Sequence, residues 1–295
     1  MEKLRAEWSE YELVDSGEGR KLERFGKFLL VRPEAQAKWR PTLSAERWES
    51  ADGTFARTGG GRKGEWRLRS GVPARWEIRR GDLKFWVQPA PSGHVGVFPD
   101  QSCHWDWIAE LLKHAKGPVK VLSLFGYTGL ATLAAAAAGA EVTHVDASRQ
   151  AVAGARENQN LSGLGERPIR WIVEDALTFV KREARRGSQY DALMLDPPRF
   201  GRGPDKEMWK LEESLPELLC ACSKILRAES AFVLLNVYTT VLTRGHAEEE
   251  AEQLRRHLNE MLGKRRLTVS AGTLVLSDAS GREIVASVYA RVRDA

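Results

Sequence analysis

Apolar positions fall into two regimes along the chain. From about residue 20 to residue 99 they come as short runs, Lys27 to Val31, Glu65 to Leu68, Arg75 to Ile78 and Leu83 to Val87, separated by Gly, Pro and Asp. Short runs bounded by turn formers predict hairpin-like β structure. Residues 1–19 are mixed and polar and read as a lead-in. From Val119 onward the text changes: Val119 to Phe125, Glu141 to Asp146, Ile169 to Val173, Tyr190 to Leu195 and Ala231 to Val237 read as buried strands of a parallel sheet. Helices are predicted between and after them, over 129–138, 148–161, 175–185, 206–226 and 246–262. Two further strands, Arg266 to Leu276 and Ile284 to Arg291, are joined by Ser277-Asp278-Ala279-Ser280-Gly281 as an antiparallel hairpin. Ser102 to Lys116 reads as an amphipathic helix stopped by Gly117-Pro118. The predicted organisation is a lead-in over 1–19, a β-rich N-terminal domain over 20–101, a bridging helix over 102–116, and an α/β domain over 117–295. That last domain is expected to hold a doubly wound, mainly parallel, seven-stranded sheet.

The first strand of that sheet ends in Gly126-Tyr127-Thr128-Gly129, and an alanine-rich run, Ala131 to Ala138, follows at once. Alanine favours helix, and its small side chain lets a helix sit close on a sheet. Strand, glycine turn and helix in that order put backbone N–H groups and a helix N-terminus at a strand's carboxyl end, where a ligand can approach the main chain. Two glycines alone equally describe an ordinary tight turn. Asp146 adds to the signal: it closes the second strand twenty residues after Gly126. A carboxylate at about that spacing accepts hydrogen bonds from ribose hydroxyls in dinucleotide-type units. Glu174-Asp175-Ala176 follows the third strand, and Asp196-Pro197-Pro198-Arg199-Phe200 follows the fourth. All lie on the carboxyl edge of one sheet, the ligand side of an open α/β sheet.

Asp and Pro end strands for purely local reasons. Opposite the glycine turn, the Asp-Pro-Pro string also has a chemical reading. Two prolines fix the backbone so that carbonyls and the Asp196 carboxylate point into the crevice. Such acceptors suit the N–H groups of an amine or a nucleobase, and Phe200 offers the stacking face that enzymes acting on an extruded base require.

Composition narrows the class. The chain has 295 residues, 42% hydrophobic and 29% charged, ordinary values for a soluble globular protein. No apolar run approaches the roughly 20 residues that span a membrane, and the mixed N-terminus is neither signal nor transit peptide. Cys103, Cys220 and Cys222 are an odd number without framework spacing, which favours a reducing, cytoplasmic setting. The histidines show no ligand spacing with them, so no metal is expected; His144 reads as a core residue of its strand. A net charge of +5 permits an anionic partner. Between Arg57 and Lys84 lie nine cations and three acids, and eight of the ten tryptophans fall by position 107. Cations interleaved with aromatics suit RNA, where charge meets phosphate and rings stack on bases. The same pattern equally describes tryptophans in a core and arginines on a solvated face. Gly59-Gly60-Gly61-Arg62-Lys63-Gly64 lacks the Lys-Ser/Thr ending of a phosphate loop and reads as a hairpin tip.

Five motifs, LFGYTG (Leu124 to Gly129), HVDAS (His144 to Ser148), ARENQNLSGL (Ala155 to Leu164), EDA (Glu174 to Ala176) and LDPPRFGRG (Leu195 to Gly203), resemble those of class I S-adenosylmethionine-dependent methyltransferases. With HVGVFPDQ (His94 to Gln101) they are most similar to the branch containing large-subunit ribosomal RNA methyltransferases. The resemblance covers about residues 94–240. It implies S-adenosylmethionine as cofactor and RNA, ribosomal RNA first, as substrate. By that resemblance Phe125, Gly126, Tyr127, Thr128 and Gly129 would wrap the methionine part of the cofactor, and Asp146 with Ala147 would hold its ribose. Asp175 with Ala176 would read its adenine amino group, and Phe98, Asp100 and Gln101 would close over it. Asp196, which also borders the cofactor, would hold the target together with Pro197, Pro198 and Phe200.

The chain departs from the family at one place. Members that methylate carbon 5 of cytosine need a cysteine after the fifth strand, because that carbon is not nucleophilic until a thiolate adds to the ring. Here the place reads Asn236-Val237-Tyr238-Thr239-Thr240, and Cys220 and Cys222 lie in an apolar helix and read as core. Transfer to nitrogen needs no covalent intermediate, only alignment and hydrogen-bond acceptors, so a nitrogen target is expected. A methyltransferase acting on a protein or small molecule, and an inactive RNA-binding relative, are the alternatives. A nicotinamide oxidoreductase would need Gly-x-Gly-x-x-Gly in the first turn, which Phe-Gly-Tyr-Thr-Gly does not supply.

Overall fold

The structure, a computed structural model, describes residues 2–58, 64–115, 117–205, 207–229, 231–238, 244–263 and 267–294. The expected hairpin tip over 59–63 lies outside the described residues, as do Thr239, Thr240 and Arg266. The chain divides into two compact units: Arg5–Ser102 with Val275–Val285, and Met1–Leu4 with Cys103–Leu274 and Ala286–Ala295.

The first strand, β1 (Glu2–Arg5), joins the sheet of the larger unit. The smaller unit follows with β2 (Tyr11–Gly17), β3 (Arg20–Phe25), β4 (Phe28–Pro33), a short helix α1 (Ala45–Glu49), β5 (Gly53–Arg57), β6 (Gly64–Leu68), β7 (Trp76–Arg80) and β8 (Leu83–Val87). Strands β2 to β6 form one sheet in chain order, and β7 pairs with β8. Residues 1–19 are therefore not a lead-in; they supply two strands. The inward positions of β2 include a polar one, which disguises it. Asp15 is fully buried, but its carboxylate accepts the backbone N–H groups of Ser16, Thr42 and Leu43 and the indole N–H of Trp48, and it pairs with Arg282. A polar side chain that is fully hydrogen-bonded serves as core.

The tryptophans of this unit pack inward or along its edges. Trp8, Trp48 and Trp76 are buried, and the indoles of Trp66 and Trp76 donate to the carbonyls of Ala90 and Phe25 at 2.9 and 3.0 Å. Several cations of the basic stretch are engaged locally: Arg79 with Glu10, Lys84 with Glu77, and Arg75 over the Trp86 ring at 4.4 Å. Arg57 and Arg67 stay exposed. At the centre lies Glu23, fully buried on β3. Arg32 grips it with two bonds of 2.7 and 2.8 Å, and the Tyr11 hydroxyl donates at 2.9 Å.

The larger unit begins with α2 (Ser102–Lys113), whose first residue belongs to the smaller one. Then come β9 (Lys120–Leu124), α3 (Leu130–Ala137), β10 (Glu141–Asp146), α4 (Arg149–Leu161), β11 (Ile169–Val173), α5 (Ala176–Arg186) and β12 (Ala192–Leu195). They are followed by β13 (Phe200–Arg202), β14 (Met208–Lys210), α6 (Leu211–Ile225), β15 (Phe232–Tyr238), α7 (Arg244–Leu262), β16 (Leu267–Ser277) and β17 (Glu283–Asp294). The sheet has eight strands in the order β1-β16-β17-β15-β12-β9-β10-β11. The eighth, absent from the seven predicted, is β1 from the chain's start. Strands β15, β12, β9, β10 and β11 run parallel, and β17 is antiparallel to β15. Val121, Val142, Met194 and Leu234 on one face cluster with Ile108 of α2 and Ala135 and Ala136 of α3. The small alanine side chains let α3 lie close to the strands.

Two local readings change. The helix predicted from residue 206 starts at Leu211, because β13 and β14 pair as a two-stranded ribbon that buries Trp209. Cys222 is buried but Cys220 is exposed, since the helical period turns only the former inward.

Glu23 makes a sharp stability prediction. Burial pushes its carboxyl up, but Arg32, Lys21 and the hydrogen bonds outweigh this and hold it below its usual 4.5. A carboxyl depressed in the fold contributes stability above its unfolded value and loses it as pH falls through the lowered one. Glu23→Ala, which strands Arg32, should cost about 3–5 kcal/mol by thermal unfolding at neutral pH. The difference from wild type should shrink as the solution is made strongly acidic.

Candidate active site

Strand order reverses at β9. The chain proceeds from β9 to β10 and β11 on one side, then places β12 and β15 on the other. Such a reversal opens a crevice at the strands' carboxyl ends. Register fixes what lines it. Leu124 is paired with Val145 on one side and Leu195 on the other, and Leu195 with Leu235. The residues one step on, Asp146, Phe125, Asp196 and Asn236, therefore stand in one row.

The turn after β9 is tightly specified. Phe125, Tyr127 and Gly129 have φ of 56°, 49° and 83°. Left-handed backbone at two non-glycine residues is uncommon and is held only where surroundings over-determine it. Those surroundings are visible. The Gly126 N–H donates to the Val145 carbonyl at 3.2 Å and the Tyr127 N–H to Asp146 Oδ2 at 2.8 Å. Asn158 of α4 donates to the Thr128 carbonyl at 3.0 Å. A Cβ on Gly126 would run into the His144 ring, and one on Gly129 would lie 2.9 Å from the Ala155 Cβ. His144 is fully buried, lies 4.7 Å from the Trp171 ring, and has Nδ1 2.9 Å from the Thr132 hydroxyl. Burial pushes it down to about 3, so the ring is neutral. With Gly129 at its N-cap, α3 starts without a side-chain cap, and its first N–H groups face the crevice end of the sheet.

Asp146 takes a second N–H, from Ser148, at 2.8 Å on Oδ1; Ala147 lies between the two. Burial raises its carboxyl above the ordinary 3.8, against the pull of the two N–H donors. Asp175 is buried, and its Oδ1 caps α5 by accepting the Thr178 N–H at 2.8 Å, with Ala176 as the first residue of the helix. Asp196 accepts Asn236 Nδ2 at 2.8 Å on Oδ1, and its own N–H donates to the Leu124 carbonyl at 3.3 Å.

The Asp-Pro-Pro turn is held from outside. Pro197 is buried and Pro198 exposed. The Pro198 carbonyl is turned to the Trp209 indole, which donates at 2.6 Å, so it does not face the crevice as expected. The Trp209 ring also packs on Phe125 at 4.8 Å, tying the two turns together. Arg199 is bound by Glu212 of α6 and Glu250 of α7. Phe200 is 53% exposed, and with Arg202, Met208 and Lys210 it forms the outer face of the ribbon. Gln101 is buried and closes a 3-10 turn, Pro99–Gln101, in the smaller unit. Trp209 escaped the sequence reading because it sat in a stretch that looked like helix. Asn236 was noticed only for not being a cysteine.

Comparison with known proteins bears on this geometry. A family model of S-adenosylmethionine-dependent methyltransferases matches residues 55–231. The structure of a SAM-dependent methyltransferase from Agrobacterium tumefaciens is 40% identical, with a TM-score of 0.93 over 100% of this chain and 94% of that one. Ribosomal RNA large subunit methyltransferase K/L of Vibrio cholerae is 34% identical over 117 residues, 39% of this chain and 16% of its own length. Its counterpart in Methylococcus capsulatus is 33% identical over 42% of this chain and again 16% of its own length. The chain thus matches about a sixth of those relatives.

Gly126→Ala should destabilise the larger unit by about 1–3 kcal/mol, the usual cost of forcing an extra carbon into a packed site. Adding His144→Ala should return part of that loss, because the ring is what the new Cβ meets. Additive losses in thermal unfolding would show that something else confines Gly126.

Proposed function

The chain belongs to the S-adenosylmethionine-dependent methyltransferase family, and on that footing we propose that it methylates a nitrogen of an RNA base, ribosomal RNA first, in the cytoplasm. One observation carries this reading. Asp146 and Asp196 flank the glycine turn in a single row, two strand spacings or about 10 Å apart.

The residues fit the cofactor. Asp146 has both oxygens oriented by backbone N–H groups, which leaves it a pure acceptor for the hydroxyls of a ribose. The turn from Phe125 to Gly129, with the uncapped start of α3, receives the methionine part. Asp175 and Ala176 border the adenine, with one Asp175 oxygen already engaged in the helix cap. When bound, S-adenosylmethionine supplies an activated methyl whose transfer requires only a nucleophile in line with it. Asp196 accepts a hydrogen bond from the target's N–H, orienting the nitrogen lone pair; Pro197 and Pro198 hold that carboxylate in place. The sequence carries three cysteines, in α2 and α6, and none follows β15, which supports nitrogen over carbon 5.

An RNA target is supported by the names of the partial relatives and by the ribbon face. Phe200 and Met208, both large and exposed, stand with Arg202 and Lys210 on the two-stranded ribbon of β13 and β14 that follows the Asp-Pro-Pro turn. A flat ring and a flexible thioether give a base a surface to stack on, and the cations meet phosphate.

Labelled methyl should pass from cofactor to RNA and be lost, by about 100-fold or more, in Asp196→Ala. Phe200→Ala should raise KM for RNA more than it lowers kcat. Transfer to protein or small molecules alone would replace the RNA reading. Titration with S-adenosylhomocysteine tests Asp146. Its raised carboxyl protonates above pH 3.8, so affinity should fall as pH drops through that raised value. Asp146→Asn should bind roughly tenfold or more weakly at neutral pH and lack this dependence.

A further inference from the structure

We propose that Trp209 is a positioning residue that couples the two halves of this site, so that cofactor and RNA each bind more tightly when the other is present; this rests on the RNA-methylation reading above. One indole makes both contacts. Its ring lies against that of Phe125, centres 4.8 Å apart and planes tilted by 56°, on the turn that receives the cofactor. Its N–H donates to the Pro198 carbonyl at 2.6 Å, on the turn that holds the target. An indole has a single donor, and here that donor goes to the Asp-Pro-Pro backbone.

The ribbon explains why the indole sits there. Its two strands pair Phe200 with Lys210, Gly201 with Trp209 and Arg202 with Met208. A lone two-stranded hairpin is marginally stable at best in water, so this one has to be fastened. The Leu211 N–H donates to the Arg199 carbonyl at its base, and the Gly203 N–H to the Glu207 carbonyl towards its tip, both at 2.9 Å. Trp209 supplies the burial: it is 4% exposed, while Met208 and Lys210 on either side of it are exposed. Strand alternation puts Phe200, Arg202, Met208 and Lys210 on the outer face and Trp209 on the inner one. A base stacked on the outer face stabilises the paired ribbon, and the paired ribbon holds the indole on Phe125. In the other direction, a cofactor that seats the Phe125 turn holds the indole, and with it the ribbon. Phe125 has a φ of 56°, a backbone state that persists only where its surroundings over-determine it, and the Trp209 ring is one of those surroundings. The two ligands therefore share one ordering cost, and the second to bind meets less of it. Linkage makes the gain equal in both directions.

Titration of S-adenosylhomocysteine with and without saturating ribosomal RNA reads this coupling. In wild type the RNA should tighten the analogue by about fivefold or more. Trp209→Phe keeps a ring against Phe125 and removes the donor. Pro198 is exposed, so water can take over its carbonyl and the variant should unfold near the wild-type temperature. It should bind the analogue alone within about twofold of wild type, lose the tightening by RNA, and fall about 10- to 100-fold in kcat, because a released target turn misplaces the acceptor. The tightening compares one folded variant with itself, so a loss of stability alone would not move it. A tightening that survives in Trp209→Phe, or that is absent from a wild type that binds RNA, would overturn the proposal. Nuclear magnetic resonance gives a test without RNA. The Trp209 indole N–H, assigned by its disappearance in Trp209→Phe, should shift when the analogue is added; an unmoved resonance would also overturn it. If wild type neither binds nor methylates RNA while that resonance shifts, the RNA reading fails and the tie between cofactor turn and target turn stands.

Discussion

Parallel pairing of β9 with β10 on one side and β12 on the other is the constraint on which the site depends. Two ladders meeting at Leu124 set Asp146, Phe125 and Asp196 side by side. A one-residue slip in either ladder would turn every side chain of that strand to the opposite face. The slip is prevented by burial: Val142, Met194 and Leu234 face one helix layer, while Leu122, Leu124, Leu193 and Leu195 are buried on alternate positions. Burial on both sides makes the register expensive to change, and the position of the carboxylates inherits that rigidity.

Around this row, hydrogen-bond capacity is divided between structure and ligand. Each carboxylate at the edge spends part of its acceptor capacity on the protein. Asp146 takes two backbone N–H groups, Asp175 caps α5, and Asp196 takes an amide. An acceptor so oriented loses little freedom when a ligand arrives, so the ordering cost has been met by folding. The same logic separates the helices. Ser148 and Asp175 cap α4 and α5, while α3 begins at Gly129 with no side-chain cap. Of the three helices that follow β9, β10 and β11, the one without a side-chain cap is α3, which starts at the glycine turn.

Much of this was legible in the sequence because apolar runs of the parallel sheet are long and their ends carry short, characteristic strings. LFGYTG, HVDAS and LDPPRF stand at strand ends that the apolar runs alone locate. What escaped were elements whose inward residues are polar or whose partners lie far away. Asp15 made β2 look like a polar leader, since its hydrogen-bond partners come from residues 42, 43, 48 and 282. β1 has no apolar pattern of its own and is a strand by virtue of pairing with β16. The ribbon of β13 and β14 was taken for helix because three-residue strands carry too few positions to show a period of two. Trp209 and Asn236 act through contacts with residues 11 and 40 positions away, and no local pattern encodes those.

Strain and incomplete pairing concentrate around the same edge. Of the three non-glycine residues with positive φ among the described residues, two are Phe125 and Tyr127; the third, Glu18, sits in a hairpin turn beside Gly19. Among the described residues, buried polar atoms without a partner are His144 Nε2 beneath the glycine turn and Arg199 Nε and Glu250 Oε2 behind the Asp-Pro-Pro turn, with Ser102 Oγ, His104 Nε2 and Arg182 Nε elsewhere. Each departs from the pairing that buried groups normally reach and costs free energy. A fold selected for stability alone would have removed them, for instance with a glycine at Tyr127 or an apolar residue at His104. The positive φ of Phe125 and Tyr127 and the unpaired atoms of His144, Arg199 and Glu250 adjoin one row of strand ends, which marks that row as a place where geometry has been favoured over stability.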